Sequence, residues 1–343
     1  MIRRLYLILG ACVLALSLVF PSSGFAMQGV SGTFFQPTNA MKSWDDTTWD
    51  TLFATYQRLG ICEIIVQWVV FEEGEPDPEI TPESAEAQDA ADTKQAVVHD
   101  LSVIEKVLSY AECYGMHVTI GGFFINSYWT RLNAEPEILQ VHLMRVRRET
   151  VKVIEQLAPR LTCSPAFAGW YLSQEIDDRT WLGKQRSAIL CTFIKDMYRE
   201  LDALVSNRPM SISAFSNGWA SPQTLGEFWR TVADETGIVR VLFQDGVGVK
   251  KLTVAEAPIY LNALQQEMAG ACCAIQPVVE IFTQLEGDVF KAEPASLKRI
   301  KAQLREELPF APNGVMLFSV AEYMSPIGGE KAEALLHKVL TER

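Results

Sequence analysis

A short apolar strand followed by an amphipathic helix recurs eight times along this 343-residue chain, and that alternation restricts its possible folds more than any other feature. Strands joined through helices return parallel to one another, and the helices cover the apolar faces of the sheet. Apolar runs predict strands at 30–36, 61–68, 117–123, 167–172, 210–215, 239–244, 276–281 and 314–318. Helical spacing of apolar residues predicts helices at 47–59, 97–114, 136–157, 181–205, from Pro222 onward, at 254–269, 294–308 and 330–340. Eight such units in a row predict a single-domain α/β fold of the (β/α)8 TIM-barrel type over 27–343. The alternative is an open doubly wound sheet, but no Gly-rich phosphate loop follows the first strand.

The first 26 residues stand outside that rhythm. Arg3 and Arg4 precede an almost wholly apolar run from Leu5 to Phe20, and Pro21-Ser-Ser-Gly-Phe-Ala26 ends on a small residue. This is the pattern of a cleaved secretory signal, and it predicts export to the periplasm or beyond. A retained anchor needs a longer span. Lipid attachment at Cys12, within Leu9-Gly-Ala-Cys12, fits less well because the residues after it stay apolar. Removing this segment takes the formal net charge from −12 to −14. So acidic a chain disfavours nucleic acid and anionic membrane surfaces as partners and leaves neutral or weakly charged ligands open.

Six cysteines remain beyond Cys12: Cys62, Cys113, Cys163, Cys191, Cys272 and Cys273. Their positions do not form a disulfide framework, and Cys62, Cys113 and Cys191 lie in apolar segments that predict core thiols. The four histidines are scattered, so the sequence offers no metal site, no His-based nucleophile relay and no cofactor motif. An insertion at 72–96 interrupts the alternation after the second strand. Between Glu72 and Asp92 it holds nine acids, three prolines and no base, which predicts a solvated surface loop.

In a (β/α)8 barrel the C-terminal strand ends converge on one face, and chemistry gathers there. Those ends supply Gln36, Gln67, Trp68, Asn126, Trp129, Gln174, Glu175, Asn217, Trp219, Gln244, Asp245, Glu280, Glu322 and Tyr323. Amides and acids that bond hydroxyls, mixed with rings that stack on sugar C–H faces, point to a carbohydrate groove. Within the set, Phe167-Ala-Gly-Trp-Tyr-Leu-Ser-Gln-Glu175 and Gln276-Pro-Val-Val-Glu280 are apolar strands that each run into a glutamate. Two carboxylates across one mouth are what glycoside hydrolysis requires. Asp177 and Asp178 read as caps or partners of Arg179, and Trp170 and Tyr171 as either barrel filling or site.

Glutamates ending strands four and seven resemble the large clan of retaining (β/α)8 glycosidases. Gly32-Thr-Phe-Phe-Gln36, Ile64-Ile-Val-Gln-Trp68, Gly169-Trp-Tyr-Leu-Ser-Gln-Glu-Ile-Asp-Asp178 and Val278-Val-Glu280 are more closely similar to a bacterial family of glycosidase-like barrels catalogued only as domain of unknown function 4434. The resemblance implies sugar chemistry with Glu175 as acid/base and Glu280 as nucleophile. It also carries departures. Gln174 stands where the clan usually has Asn, and Gln244 with Asp245 where it often has Tyr or His. The competing expectation is a non-catalytic polysaccharide-binding barrel, an accessory to envelope glycan assembly, that uses the same groove.

Overall fold

The computed structural model describes residues 27–73, 101–287 and 290–342. The proposed signal segment, Cys12 and nearly all of the acidic insertion lie outside them. Eight parallel strands close into one barrel: β1 (Val30–Phe35), β2 (Glu63–Val66), β3 (His117–Gly121), β4 (Phe167–Asp177), β5 (Met210–Phe215), β6 (Arg240–Gln244), β7 (Ala274–Glu280) and β8 (Val315–Phe318). Each strand pairs with its sequence neighbours, and β8 closes on β1 through Val30↔Val315, Gly32↔Met316 and Thr33↔Leu317. Eight helices form the outer ring: α1 (Asp46–Leu59), α2 (Ser102–Tyr114), α3 (Pro136–Cys163), α4 (Lys184–Leu204), α5 (Pro222–Thr236), α6 (Ala257–Glu267), α7 (Leu297–Glu307) and α8 (Glu330–Thr341).

Local chemistry sets the helix limits. Asp45 caps α1 by accepting the Thr48 N–H at 2.8 Å, and Gly60 ends it at φ 82°, where a side chain would be strained. Trp49, Leu52, Phe53, Tyr56 and Leu59 share the buried face of α1. The Trp49 and Phe53 rings meet Tyr110 of α2 at 6.1 and 5.4 Å.

The core has two layers. Phe34, Ile65, Tyr171, Leu242, Val278 and Met316 fill the barrel interior, with Phe318 packed against them. The larger layer lies between strands and helices and includes Trp170, whose ring meets Phe167 at 4.7 Å. Tyr171 therefore fills the barrel and Trp170 the outer shell.

The structure departs from sequence expectation mainly at β4, which continues to Asp177. Leu172 pairs with Ile212 and Ile176 with Ala214, so residues 173–175 oppose Ser213 alone. Such a bulge re-aims side chains at a barrel rim, and Glu175 sits in it. The next helix starts at Lys184 rather than at 181, because Asp177 accepts the Arg179 and Thr180 N–H groups in a turn. The six described cysteines are unpaired, and the expectation of core thiols fails for two of them. Cys62 is exposed just before β2, and Cys113 is exposed on α2. Among the described residues no helix is long and apolar enough to cross a membrane.

Candidate active site

The β4 bulge turns Gln174 and Glu175 in different directions. Glu175 faces the mouth, where its Oε1 accepts from Gln244 Nε2 at 2.9 Å and Gln67 Nε2 at 3.3 Å. Gln67 is itself held by Gln36, whose Nε2 donates to Gln67 Oε1 at 2.7 Å. The backbone carbonyl of Glu175 accepts the buried Tyr128 hydroxyl at 2.6 Å. Burial raises the Glu175 carboxyl above its ordinary range, while the Gln244 hydrogen bond and the Lys251 charge pull the other way. Three amides from β1, β2 and β6 thus orient one carboxylate.

Glu280 ends β7 and is almost fully buried. Its Oε2 accepts the Val249 N–H at 3.0 Å. Gly248 allows this approach, because a Cβ there would lie 2.7 Å from Glu280 Oε2. Burial, then the Asp245 charge, then Glu175 push the Glu280 carboxyl up to about 8 against the backbone N–H bonds. Behind it, fully buried Asp245 accepts from Val247 N–H at 3.0 Å, Glu280 N–H at 3.3 Å and Gln303 Nε2 at 2.5 Å. Glu307 on α7 is also buried, and neither of its oxygens meets a donor among the described residues. Its carboxyl faces Asp245, and burial together with that charge raises it well above the usual carboxylate range. Burial likewise raises the Asp245 carboxyl, against the donors that hold it.

Aromatic rings surround the two glutamates. Trp68 is half-buried, gives its indole N–H to Pro37 O at 3.2 Å, and packs with Phe71 and Phe124 at 5.0 and 5.8 Å. Trp129 is 39% and Trp219 69% exposed. Tyr323 stacks on Phe282 at 5.2 Å and lies in the field of Glu280. The loop bearing Trp219 hangs on fully buried Asp178, which accepts from Ser216 Oγ and from the N–H groups of Asn217, Trp219 and Ala220 at 2.7–2.9 Å. Asp178 is therefore a loop anchor. Asn126 and Asn217 are exposed, and their side-chain amides make no hydrogen bond among the described residues.

Three sequence-predicted site residues lie elsewhere. Gln174 is buried and donates Nε2 to Phe123 O at 3.3 Å, so its amide cannot serve a ligand. Asp245 is sealed beneath Glu280 and acts on it rather than on solvent. Glu322 accepts from Ser319 Oγ and exerts its charge on Tyr56 of α1, behind β8. Sequence reasoning missed Lys251, Val249, Gln303 and Glu307. The first two lie in the loop just past β6, within Asp245-Gly-Val-Gly-Val-Lys-Lys251. Its paired glycines were the available signal for a backbone passing close to something.

Solved glycosidase structures share this fold. A candidate alpha-L-fucosidase from Bacteroides thetaiotaomicron VPI-5482 is similar at TM-score 0.69 and 17% identity, over 92% of this chain and 95% of that one. A beta-galactosidase from Bacillus circulans sp. alkalophilus is similar at TM-score 0.56 and 10% identity, over 91% of this chain and 55% of that one. The exo-beta-1,4-mannosidase Op5Man5 from Opitutaceae bacterium strain TAV5 gives TM-score 0.52 and 14% identity over the same shares. At these identities the likeness is one of fold. In sequence, the chain is 30% identical over 286 residues to the uncharacterized protein YbcH of Escherichia coli (strain K12), covering 82% of this chain and 85% of that one. Residues 30–328 match the profile described as Domain of unknown function (DUF4434), and the chain belongs to that family.

Proposed function

We propose that this protein is an exported retaining glycoside hydrolase acting on an oligo- or polysaccharide, with Glu280 as nucleophile and Glu175 as acid/base. What supports the reading is that Glu175 and Glu280 lie at the C-terminal ends of β4 and β7, that Glu175 adds to the field on Glu280, and that each is held by its own donors. In the first step Glu280 attacks the anomeric carbon as the glycosidic bond breaks, and Glu175 gives its proton to the departing oxygen. In the second, Glu175 takes a proton from water, the water oxygen attacks the same carbon, and Glu280 leaves as carboxylate. Gln67 and Gln244 hold Glu175 in place through both steps. The rings of Trp129, Trp219 and Tyr323 offer faces for sugar stacking.

One observation favours a second reading with the roles exchanged. In the unliganded site burial and Asp245 push Glu280 up to about 8, and burial raises Glu175 as well, against Gln244 and Lys251. A carboxyl raised to about 8 holds a proton at neutral pH, and the first step as written needs Glu280 as the carboxylate. Trapping with a fluorinated sugar followed by peptide mapping separates the readings. Label on Glu280 supports the proposed roles and label on Glu175 the exchanged ones. Under the proposed roles, azide restores turnover to Glu175→Ala with activated substrates, and Glu280→Ala has no retaining activity. Glycan binding without label or hydrolysis by any sugar would leave the non-catalytic polysaccharide-binding barrel.

A further inference from the structure

Lys251 is a cation in the field of both glutamates that the mechanism leaves unused. It sits in the fields of Glu175, Glu280, Asp177 and Asp178. An ammonium among four carboxyls would ordinarily close onto one of them. Here, among the described residues, none lies within ion-pair distance of it, and Nζ rests 3.5 Å from the centroid of the Phe215 ring. Each carboxyl already has other donors. Glu175 accepts from Gln67 and Gln244, Glu280 from Val249, Asp177 from Arg179 N–H and Thr180, and Asp178 from the loop it anchors. Lys251 is exposed, its backbone N–H is fixed to Gly246 O at 2.8 Å, and its ammonium makes no hydrogen bond among the described residues.

Arg179 repeats the arrangement on the other side of the β5 end. It is exposed, has no ion pair among the described residues, and holds its guanidinium 5.4 Å from the Trp219 ring. Each cation lies on an aromatic ring beside the groove. Cation–π contact at an exposed site contributes only about 0.5–1 kcal/mol, so either cation can leave its ring for a better partner. A neutral sugar offers none, whereas a sugar carboxylate offers a charge-assisted hydrogen bond to a point charge or a fork.

We infer that the groove selects a carboxylate-bearing saccharide, a uronic acid unit, whose carboxylate is taken by Lys251 with Arg179 as the neighbouring cation. This rests on the groove being a carbohydrate site and names its substrate class. The chain's net charge of −12 opposes long polyanions at a distance. Screening beyond about 8 Å at physiological ionic strength leaves a local contact intact. The arrangement therefore fits an acidic unit set among neutral sugars better than an unbroken polyuronate.

The test compares short oligosaccharides containing glucuronic, galacturonic or mannuronic acid with their carboxyl-reduced neutral counterparts, by titration calorimetry at low and high salt. At least one acidic saccharide should bind about tenfold more tightly than its reduced form, with the preference shrinking as salt rises. Lys251→Met should bring that ratio close to one and Lys251→Arg should keep it, with thermal midpoints confirming that both fold. The inference is overturned if no acidic saccharide is preferred. It is also overturned if Lys251→Met weakens both forms equally, because the ammonium then serves Glu175 alone. Hydrolysis is scored separately. Acid-selective binding without cleavage refutes the hydrolase and keeps this inference, and cleavage without acid preference does the reverse.

Discussion

Glu63 and Arg240 meet bidentately across the N-terminal end of the barrel, at 2.6 and 2.7 Å, while Glu280, Asp245 and Glu307 crowd at the C-terminal end with no cation in contact with any of their carboxyl groups among the described residues. At the first end the carboxylate, the guanidinium fork and the amide bond one another. Arg240 also reaches Gln276 Oε1 at 3.1 Å, Thr119 donates to Glu63 Oε1 at 2.9 Å, and Gln276 Nε2 bonds Ser31 Oγ and Gly314 O. Burial alone would raise the Glu63 carboxyl, but Arg240 and Thr119 hold it below its ordinary range. At the second end burial wins, and the carboxyls are pushed up. A cavity of about 430 Å³ lies at the satisfied end, lined by Glu63, His117 and Arg240 among others. Under the proposed function, concavity does not mark the site in this barrel and unbalanced charge does, because a fold keeps destabilising groups where chemistry needs them.

The comparison breaks if removing charge has the same effect at both ends. Arg240→Met leaves Glu63 buried and unpaired, and should cost about 3–5 kcal/mol in urea unfolding. Glu63→Met combined with Arg240→Met should recover most of that loss, because the desolvation penalty disappears with the pair. At the mouth the sign reverses. Glu280 is raised above its unfolded value, so its protonated form stabilises the fold below the usual glutamate range. That stability is lost as pH climbs toward about 8. Glu280→Gln removes the titration and should stabilise the protein by on the order of a few kcal/mol at pH 8, and by little at pH 4. Glu307→Gln should act in the same direction and keep a donor for Asp245. A mouth variant that destabilises at pH 8 would end the contrast.

Gly248→Ala sharpens the picture without changing any charge. A Cβ there meets Glu280 Oε2 and Phe282 O, each at 2.7 Å, so either the loop or the glutamate must move. About 1–3 kcal/mol of stability should be lost. Hydrolysis should fall further than that loss explains, since Val249 N–H would no longer reach Glu280. Unchanged kinetics with a normal crystal geometry would show the loop to be a bystander.

The strand–helix alternation made the barrel legible because periodicity survives in a single sequence. That Glu175 and Glu280 lie at the C-terminal ends of barrel strands was legible for the same reason: both follow apolar runs. What could not be read was direction. The bulge at 173–175 rotates Gln174 away and Glu175 in, and no local pattern in Leu172-Ser-Gln-Glu175 announces an irregularity that depends on pairing with β5. Asp245 stands directly after β6 and Glu280 is the last residue of β7, yet one is sealed and the other meets the mouth, because Gln303 and Glu307 on a helix 58 or more residues away close over Asp245. Lys251 was missed because the loop, and not the strand, carries it into the site.

The smallest expected effect comes from the aromatics, and it separates rim from core. Trp219 is 69% exposed and its loop is held by Asp178, not by the indole. Trp219→Ala should change unfolding free energy by no more than about 0.5 kcal/mol. It should weaken glycan binding by roughly 0.5–1.5 kcal/mol, the worth of one stacked ring beyond its buried area. Trp170, one strand earlier and 1% exposed between sheet and helices, is the matched control. Trp170→Ala leaves a cavity and should cost about 3–5 kcal/mol in stability. The two variants remove the same side chain, so differences in solubility or extinction cancel. Calorimetric titration with a bound saccharide and urea unfolding on both proteins give four values. If Trp219→Ala loses stability but no affinity, its indole is packing the loop, and the groove must run along Trp129 and Tyr323 instead.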